Sequence, residues 1–160
     1  MIRHAASDDA PAIAEIWQPI IADSLATFNP VVKTPADVKA MIADKAASGY
    51  GFFVADLGGV VGFATYGQFR GGFGYARTME HTVILSPAAK GKGIGRKLMV
   101  AVEDHARAAG AHSIFAGVSA ANDAGVAFHA RLGYAEVARL REVGFKFDQY
   151  LDLVLMQKFL

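Results

Sequence analysis

A chain of 160 residues, 53% of them hydrophobic, is the size of one ordinary domain and carries enough apolar side chain for one continuous core. Its 16 basic and 15 acidic side chains sum to +1 without a block of like charge, which excludes a surface built to track a nucleic-acid backbone. No apolar stretch approaches the roughly 20 residues of a membrane span, and the absence of cysteine excludes disulfides, thiolate metal sites and a cysteinyl acyl-enzyme. At the start, Met1 to Ala5 carry Arg3 and His4 and run into Ser7, Asp8 and Asp9 without the apolar core of a signal peptide. A soluble, cytoplasmic protein with no membrane partner is expected.

Ile2 opens a strand, and Ser7 reads as the N-cap of a helix on which Ile13, Ile16, Trp17, Ile20 and Ile21 recur at helical spacing. Ala26 to Lys33 is an aperiodic loop, unusually apolar at Phe28, before Thr34 and Pro35 start a second helix carrying Val38, Met41 and Ile42. Tyr50 to Leu57 and Val60 to Phe69 are aromatic and β-branched runs joined by Gly58 and Gly59, the composition of a tight hairpin. A glycine-rich crossing at Gly71, Gly72 and Gly74 leads to a strand from Thr78 to Leu85, ended by Ser86 and Pro87. The period then changes: Ile94, Leu98, Val102, His105 and Ala109 share one helical face up to Gly110, and a strand follows from Ser113 to Val118. A helix from about Asn122 to Leu132 stops at Gly133. Tyr134 to Arg141 and Tyr150 to Phe159 read as two last strands with Gly144 between them. No linker or repeat interrupts this order, which predicts a single α/β domain over residues 1–160, a sandwich on a mixed, mostly antiparallel sheet.

The strongest local signal is Lys90, Gly91, Lys92, Gly93, Ile94, Gly95 and Arg96, placed between a strand and the start of a helix. Glycines there bring consecutive N–H groups close to a ligand, the helix dipole adds partial positive charge, and the three cations add more, so an anionic pyrophosphate is the natural guest. The alternative is a glycine-rich turn with surface lysines. Arg96 and Leu98 stand where a Walker A loop and a dinucleotide-binding loop need other residues, which excludes both nucleotide readings.

With Lys90-x-x-Gly93-x-Gly95, and with Asn122, His129, Gly133 and Tyr134 following in the right order, the sequence resembles the GNAT superfamily of N-acetyltransferases. The resemblance covers essentially the whole chain and implies a sheet flanked by helices on both faces, acetyl-CoA as co-substrate and a homodimer. It also implies that main-chain N–H groups of Val83, Ile84 and Leu85 bind the pantetheine arm, that Lys90 to Arg96 hold the pyrophosphate, and that Asn122 bonds a pantetheine amide, with helix N-capping as its other role. A closer resemblance is to the phosphinothricin acetyltransferase group, which also acetylates methionine sulfone and methionine sulfoximine. Glu80 with His81, His129, and the run from Val143 to Phe147 with Leu151 to Gln157 carry it; Thr27, Phe28, Phe69 and Arg70 match more loosely, and Ala76 and Arg77 depart from that group's Arg-Trp pair.

The resemblance implies catalytic roles for two residues. Glu80 would take the proton from the acceptor ammonium, the alternative being a solvated strand-end carboxylate. His129 stands where relatives place the group that protonates the departing thiolate, the alternative being a packed helix histidine. His81 ranks below Glu80, because neighbouring strand residues point to opposite faces and both cannot line one site without a bulge. Arg70 and Arg77 are a candidate forked clamp on a substrate carboxylate, the alternative being solvated strand-edge arginines, and Phe28, Phe69 and Tyr75 are candidate walls of the acceptor pocket or, equally, core residues. No metal is expected, since His4, His105 and His112 lie in separate elements. The acceptor is expected to be a small-molecule amine, chiefly a free amino acid; a peptide or protein amine, or a noncatalytic acyl-CoA sensor, are the alternatives.

Overall fold

All 160 residues are described in the structure, a computed structural model. The strands are β1 (Ile2–His4), β2 (Phe52–Asp56), β3 (Val60–Gln68), β4 (Thr78–Leu85), β5 (Ser113–Ser119), β6 (Ala135–Lys146) and β7 (Gln149–Phe159). They form one seven-stranded sheet in the order β1-β2-β3-β4-β5-β7-β6, in which only the β4–β5 pair is parallel. The helices are α1 (Ala10–Asp23), α2 (Pro35–Ala47), α3 (Ile94–Ala108) and α4 (Asp123–Arg131). The expected mixed, mostly antiparallel α/β architecture is the one observed.

Strand alternation divides the core into two layers. Phe52, Val54 and Phe63 meet Ala10, Ile13, Ala14 and Val38 of α1 and α2 on one face. Phe53, Ala55, Ala64, Tyr66 and Met79 meet Leu98, Met99, Val102 and Ala106 of α3 on the other. At the β2–β3 hairpin both glycines adopt positive φ, +89° at Gly58 and +158° at Gly59, and both donate their N–H groups to the Asp56 carboxylate at 3.0 Å. Thr34 caps α2 reciprocally with Asp37, as the sequence predicts.

Two sequence expectations need correction. Ser7 does not cap α1. It opens a one-turn 3-10 helix, and its hydroxyl donates to Asp8, while the Asp9 carboxylate takes the Ala6 N–H at 2.7 Å and two bonds from Arg3. An aspartate that serves both a turn and an arginine outcompetes a hydroxyl. Gly144 does not separate the last two strands either. It lies within β6 opposite Leu151, after a bulge at which Glu142 takes φ +55° and donates its N–H to Asp152, and the turn falls at Phe147 and Asp148, both with positive φ. In the apolar run from Leu151 to Leu155, Leu153 to Leu155 are paired on both sides, by β5 and β6, and belong to the sheet interior, while Leu151 pairs with Gly144 of β6.

The β4–β5 junction positions the site. Parallel pairing covers Thr78 to Glu80 against Ser113 to Phe115 and stops there; beyond it β4 pairs only with β3 and β5 only with β7. The two strands part in the middle of the sheet.

Candidate active site

A cavity of about 480 Å³ occupies this parting, lined by β4 from Glu80 to Ile84, β5 from Ala116 to Ser119, the loop Ala26 to Asn29, and Asn122, His129 and Leu153. Since the opening passes through the sheet, both faces of β4 border it. Glu80 opens to the side of α1 and the Phe28 loop, and His81 to the side of α4, where its ring stacks on His129 with centroids 5.0 Å apart. Both residues therefore line one cavity without a bulge, which corrects the expectation that strand alternation separates them.

Main-chain chemistry follows from register. The N–H of Phe69 donates to the Thr78 carbonyl and that of Ser86 to the Val61 carbonyl, each at 2.9 Å. With Gly67, Thr65 and Phe63 opposite Glu80, Thr82 and Ile84, alternate residues of β4 turn their main-chain groups to β3. Val83 and Leu85 turn theirs the other way, into the opening, whereas the Ile84 N–H is committed to β3. The geometry is that of a strand edge awaiting an extended partner.

Glu80 is half-buried, and burial alone raises its pKa above the usual carboxylate range, no cation or hydrogen-bond donor opposing the shift. Its Oε1 lies so close to Gly117 that a Cβ there would stand 2.9 Å away. His81 is 7% exposed with both ring nitrogens unpartnered, and burial, aided by His129, brings its pKa down to about 3. His129 donates its Nδ1–H to the Gly125 carbonyl at 2.8 Å, since a carbonyl oxygen only accepts. Its buried Nε2 therefore presents a lone pair, and burial lowers its pKa. Both imidazoles are neutral near pH 7. Asn122 caps α4 through Oδ1, which accepts the Gly125 N–H at 3.0 Å, and borders the cavity as well.

A second groove, about 300 Å³, runs from Leu85 along Ala89, Lys90, Gly91, Gly93, Ile94, Gly95 and Arg96 to Phe128, Arg131 and Leu132. Gly91 and Gly93 adopt φ of +75° and +70°, turning the chain so that α3 begins at the groove. Gly95 permits close approach of α3 and α4: a Cβ there would stand 3.0 Å from the Phe128 ring. Cations Lys90, Arg96 and Arg131 line the groove and no carboxylate does, so it suits a pyrophosphate. Lys92 is exposed and outside the lining.

Among the residues expected to hold the acceptor, the structure brings Phe28 and His81 to the cavity. Phe69 instead stacks on Phe115 at 4.6 Å, Arg70 lies over the Tyr75 ring at 5.4 Å, and Arg77 is exposed, so these three stand outside the lining with Tyr75. No lysine or arginine lines the cavity. Sequence reading overlooked Arg131, Thr82, Ser119 and Gly117. Of these only Gly117 carried a signal, a lone glycine within a strand pattern, which marks close approach by another group. No group of three or more His, Asp or Glu is placed to hold a metal ion.

Residues 17–134 match the acetyltransferase (GNAT) family. The L-methionine sulfoximine/L-methionine sulfone acetyltransferase of Salmonella typhimurium is 36% identical over 157 residues, covering 98% of this chain and 92% of that one. The phosphinothricin N-acetyltransferase of Alcaligenes faecalis is 30% identical, covering 98% and 81%. Among solved structures, an acetyltransferase of Salmonella typhimurium with its cofactor acetyl-CoA superposes with a TM-score of 0.94 at 35% identity, covering 99% of this chain and 92% of that one. Glycine loop, parted strands and relatives agree: the chain belongs to the GNAT family and is an N-acetyltransferase whose co-substrate is acetyl-CoA.

Proposed function

We propose that this enzyme acetylates the amine of a free amino acid or analogue of the methionine sulfone, methionine sulfoximine or phosphinothricin type, and that Glu80 is its general base. The observation carrying this reading is the half-buried, unpartnered Glu80 carboxylate in a cavity walled by Ala26 to Asn29, facing the free main-chain edge of β4. Acetyl-CoA lies along that edge, its pyrophosphate in the groove from Lys90 to Arg96 and its thioester at the parting, where a β4 N–H donates to the carbonyl oxygen. Glu80 takes a proton from the acceptor ammonium, directly or through water. The freed nitrogen attacks the carbonyl carbon, the C–N bond forms and the C–S bond breaks, CoA leaves as a thiolate, and the surplus proton on the nitrogen passes to water or to that thiolate. A thiol pKa near 8.5 makes that departure tolerable without a strong acid, which accords with a neutral His129.

The assay is release of CoA thiol from acetyl-CoA over a panel of free amino acids, including methionine sulfone, methionine sulfoximine and phosphinothricin, beside a peptide. Having no cysteine, the protein adds no thiol of its own. Turnover confined to free amino acids is expected. Turnover of the peptide alone overturns the acceptor assignment, and acetyl-CoA binding without any turnover overturns the catalytic role of Glu80 in favour of a sensor.

The same reading places the enzyme in the cytoplasm, as one domain over residues 1–160, and as a homodimer. Support for the dimer comes from Leu140, Val143, Phe145, Phe147 and Tyr150, all exposed along the last two strands and the turn between them, at one edge of the sheet.

A further inference from the structure

Residues 24–34, between α1 and α2, form no regular structure, yet four of them make one wall of the acceptor half of the cavity. Within this segment the Ser24 hydroxyl donates to the Ile20 carbonyl at 2.7 Å and accepts the Ala26 N–H at 3.2 Å, while the Thr27 hydroxyl donates to the Ile20 carbonyl at a longer 3.4 Å. These bonds tie the segment's beginning to α1 and leave its far part, at Phe28, to be held by something else.

What holds it comes from more than a hundred residues away in sequence. Lys146, near the end of β6, is 3% exposed, and its Nζ donates to the Ser24 carbonyl at 2.6 Å, the Thr27 carbonyl at 2.8 Å and the Thr27 hydroxyl at 3.5 Å. No carboxylate is paired with it. Two residues earlier, Gly144 lies flat against Phe28: a Cβ there would stand 2.5 Å from Cδ2 and 2.6 Å from Cγ of that ring. Burying an ammonium among neutral carbonyls is a poor way to gain stability, because desolvation opposes the bonds it makes. It is a good way to fix a loop's position, since an ammonium's directed donors converge on two carbonyls and a hydroxyl of the segment.

We propose that Lys146 and Gly144 are positioning residues for acceptor binding: Lys146 draws the carbonyls of Ser24 and Thr27 onto β6, and Gly144 provides the flat seat on which the Phe28 ring rests opposite Glu80. The inference deepens the acceptor assignment and rests on it. Neither residue reaches the groove that takes the pyrophosphate of acetyl-CoA, which lies along Lys90 to Arg96 and Arg131. Disturbance of the wall is therefore felt chiefly by the acceptor, while acetyl-CoA keeps its anchor in that groove.

The test measures KM for both substrates and kcat in the wild type, Lys146→Met and Gly144→Ala. Lys146→Met keeps the length and removes the donors; Gly144→Ala keeps Lys146 and must displace the Phe28 ring. The expected result is an acceptor KM raised on the order of ten-fold or more in each variant, with a smaller change in kcat and an acetyl-CoA KM within about two-fold of wild type. If Lys146→Met fails to fold, Gly144→Ala alone reads the same signature. An acceptor KM unchanged in either folded variant, or KM values for both substrates rising together, overturns the proposal by showing that these residues only support the fold. Failure of the wild type to acetylate any free amino acid is a distinct result, and it strikes the acceptor assignment instead.

Discussion

Glu80 combines two properties that pull against each other. Burial without a partner raises its folded pKa above the roughly 4.3 of an unfolded chain. The native state then holds its proton more tightly than the unfolded state does, so this contribution to stability is complete below that value and is lost as pH rises through the raised one. At neutral pH the ionised base is a cost to folding. Glu80→Gln should accordingly lower kcat/KM by about 10²- to 10³-fold while leaving the thermal midpoint at pH 7.5 equal to or above wild type, measured by calorimetry. The acid limb of the wild-type pH–rate profile should vanish in that variant. His81 shows the opposite sign. With a folded pKa of about 3 against roughly 6.5 unfolded, its stabilising contribution is present above pH 6.5 and drains away as pH falls towards 3. His81→Phe, which fills a similar space and has no nitrogen to leave unpaired, should lose less thermal stability between pH 7.5 and pH 5 than wild type does. His129→Phe should slow turnover by less than about ten-fold, because a neutral imidazole whose Nε2 is a lone pair has no proton to give the thiolate.

At the scale of elements, the loop into α3 gives a clean separation of strain from contact. Gly93 adopts φ +70° with nothing within 4 Å of where its Cβ would stand, so Gly93→Ala tests backbone conformation alone. The left-handed conformation costs an alanine about 1 kcal/mol, and the loop will relax away from the pyrophosphate. Acetyl-CoA affinity, read by calorimetry, should fall while the acceptor KM stays near wild type. This loop was legible in the sequence because its chemistry is written in consecutive residues: the glycines, the cations and the helix that follows lie within a dozen positions. The hairpin at Gly58 and Gly59 and the cap at Thr34 were legible for the same reason. What stayed hidden depends on long-range placement. The parting of β4 from β5 is a property of register between strands about 30 residues apart, and it alone lets Glu80 and His81 share a cavity. Lys146 reads as an ordinary charged strand residue until its contacts with Ser24 and Thr27 are known. Gly144 invited a turn assignment because a glycine between two apolar runs usually marks one, and its use as a seat for an aromatic ring has no local signature.

For the whole molecule, the last four residues of β6 before the turn join the acceptor wall to the outer surface. Gly144 and Lys146 are buried towards the loop carrying Phe28, while Val143 and Phe145 alternate with them and are each 56% exposed on the opposite side. Phe145 packs against Tyr150, itself 66% exposed, at a centroid distance of 5.1 Å. An aromatic pair this open on an edge hairpin invites pairing with a second copy, and a symmetric dimer is the arrangement that buries it on both chains at once. Such an interface would also steady the strand that pins the wall, so association and acceptor binding should be linked. Light scattering should give twice the chain mass for wild type at micromolar concentration. Phe145→Glu combined with Tyr150→Glu should give a monomer, because two desolvated carboxylates from each chain at the centre of a two-fold contact repel across it. If the linkage holds, that monomer keeps its affinity for acetyl-CoA but shows a raised acceptor KM. A monomer with wild-type KM for both substrates would mean that β6 holds the wall by itself and that dimerisation serves another end.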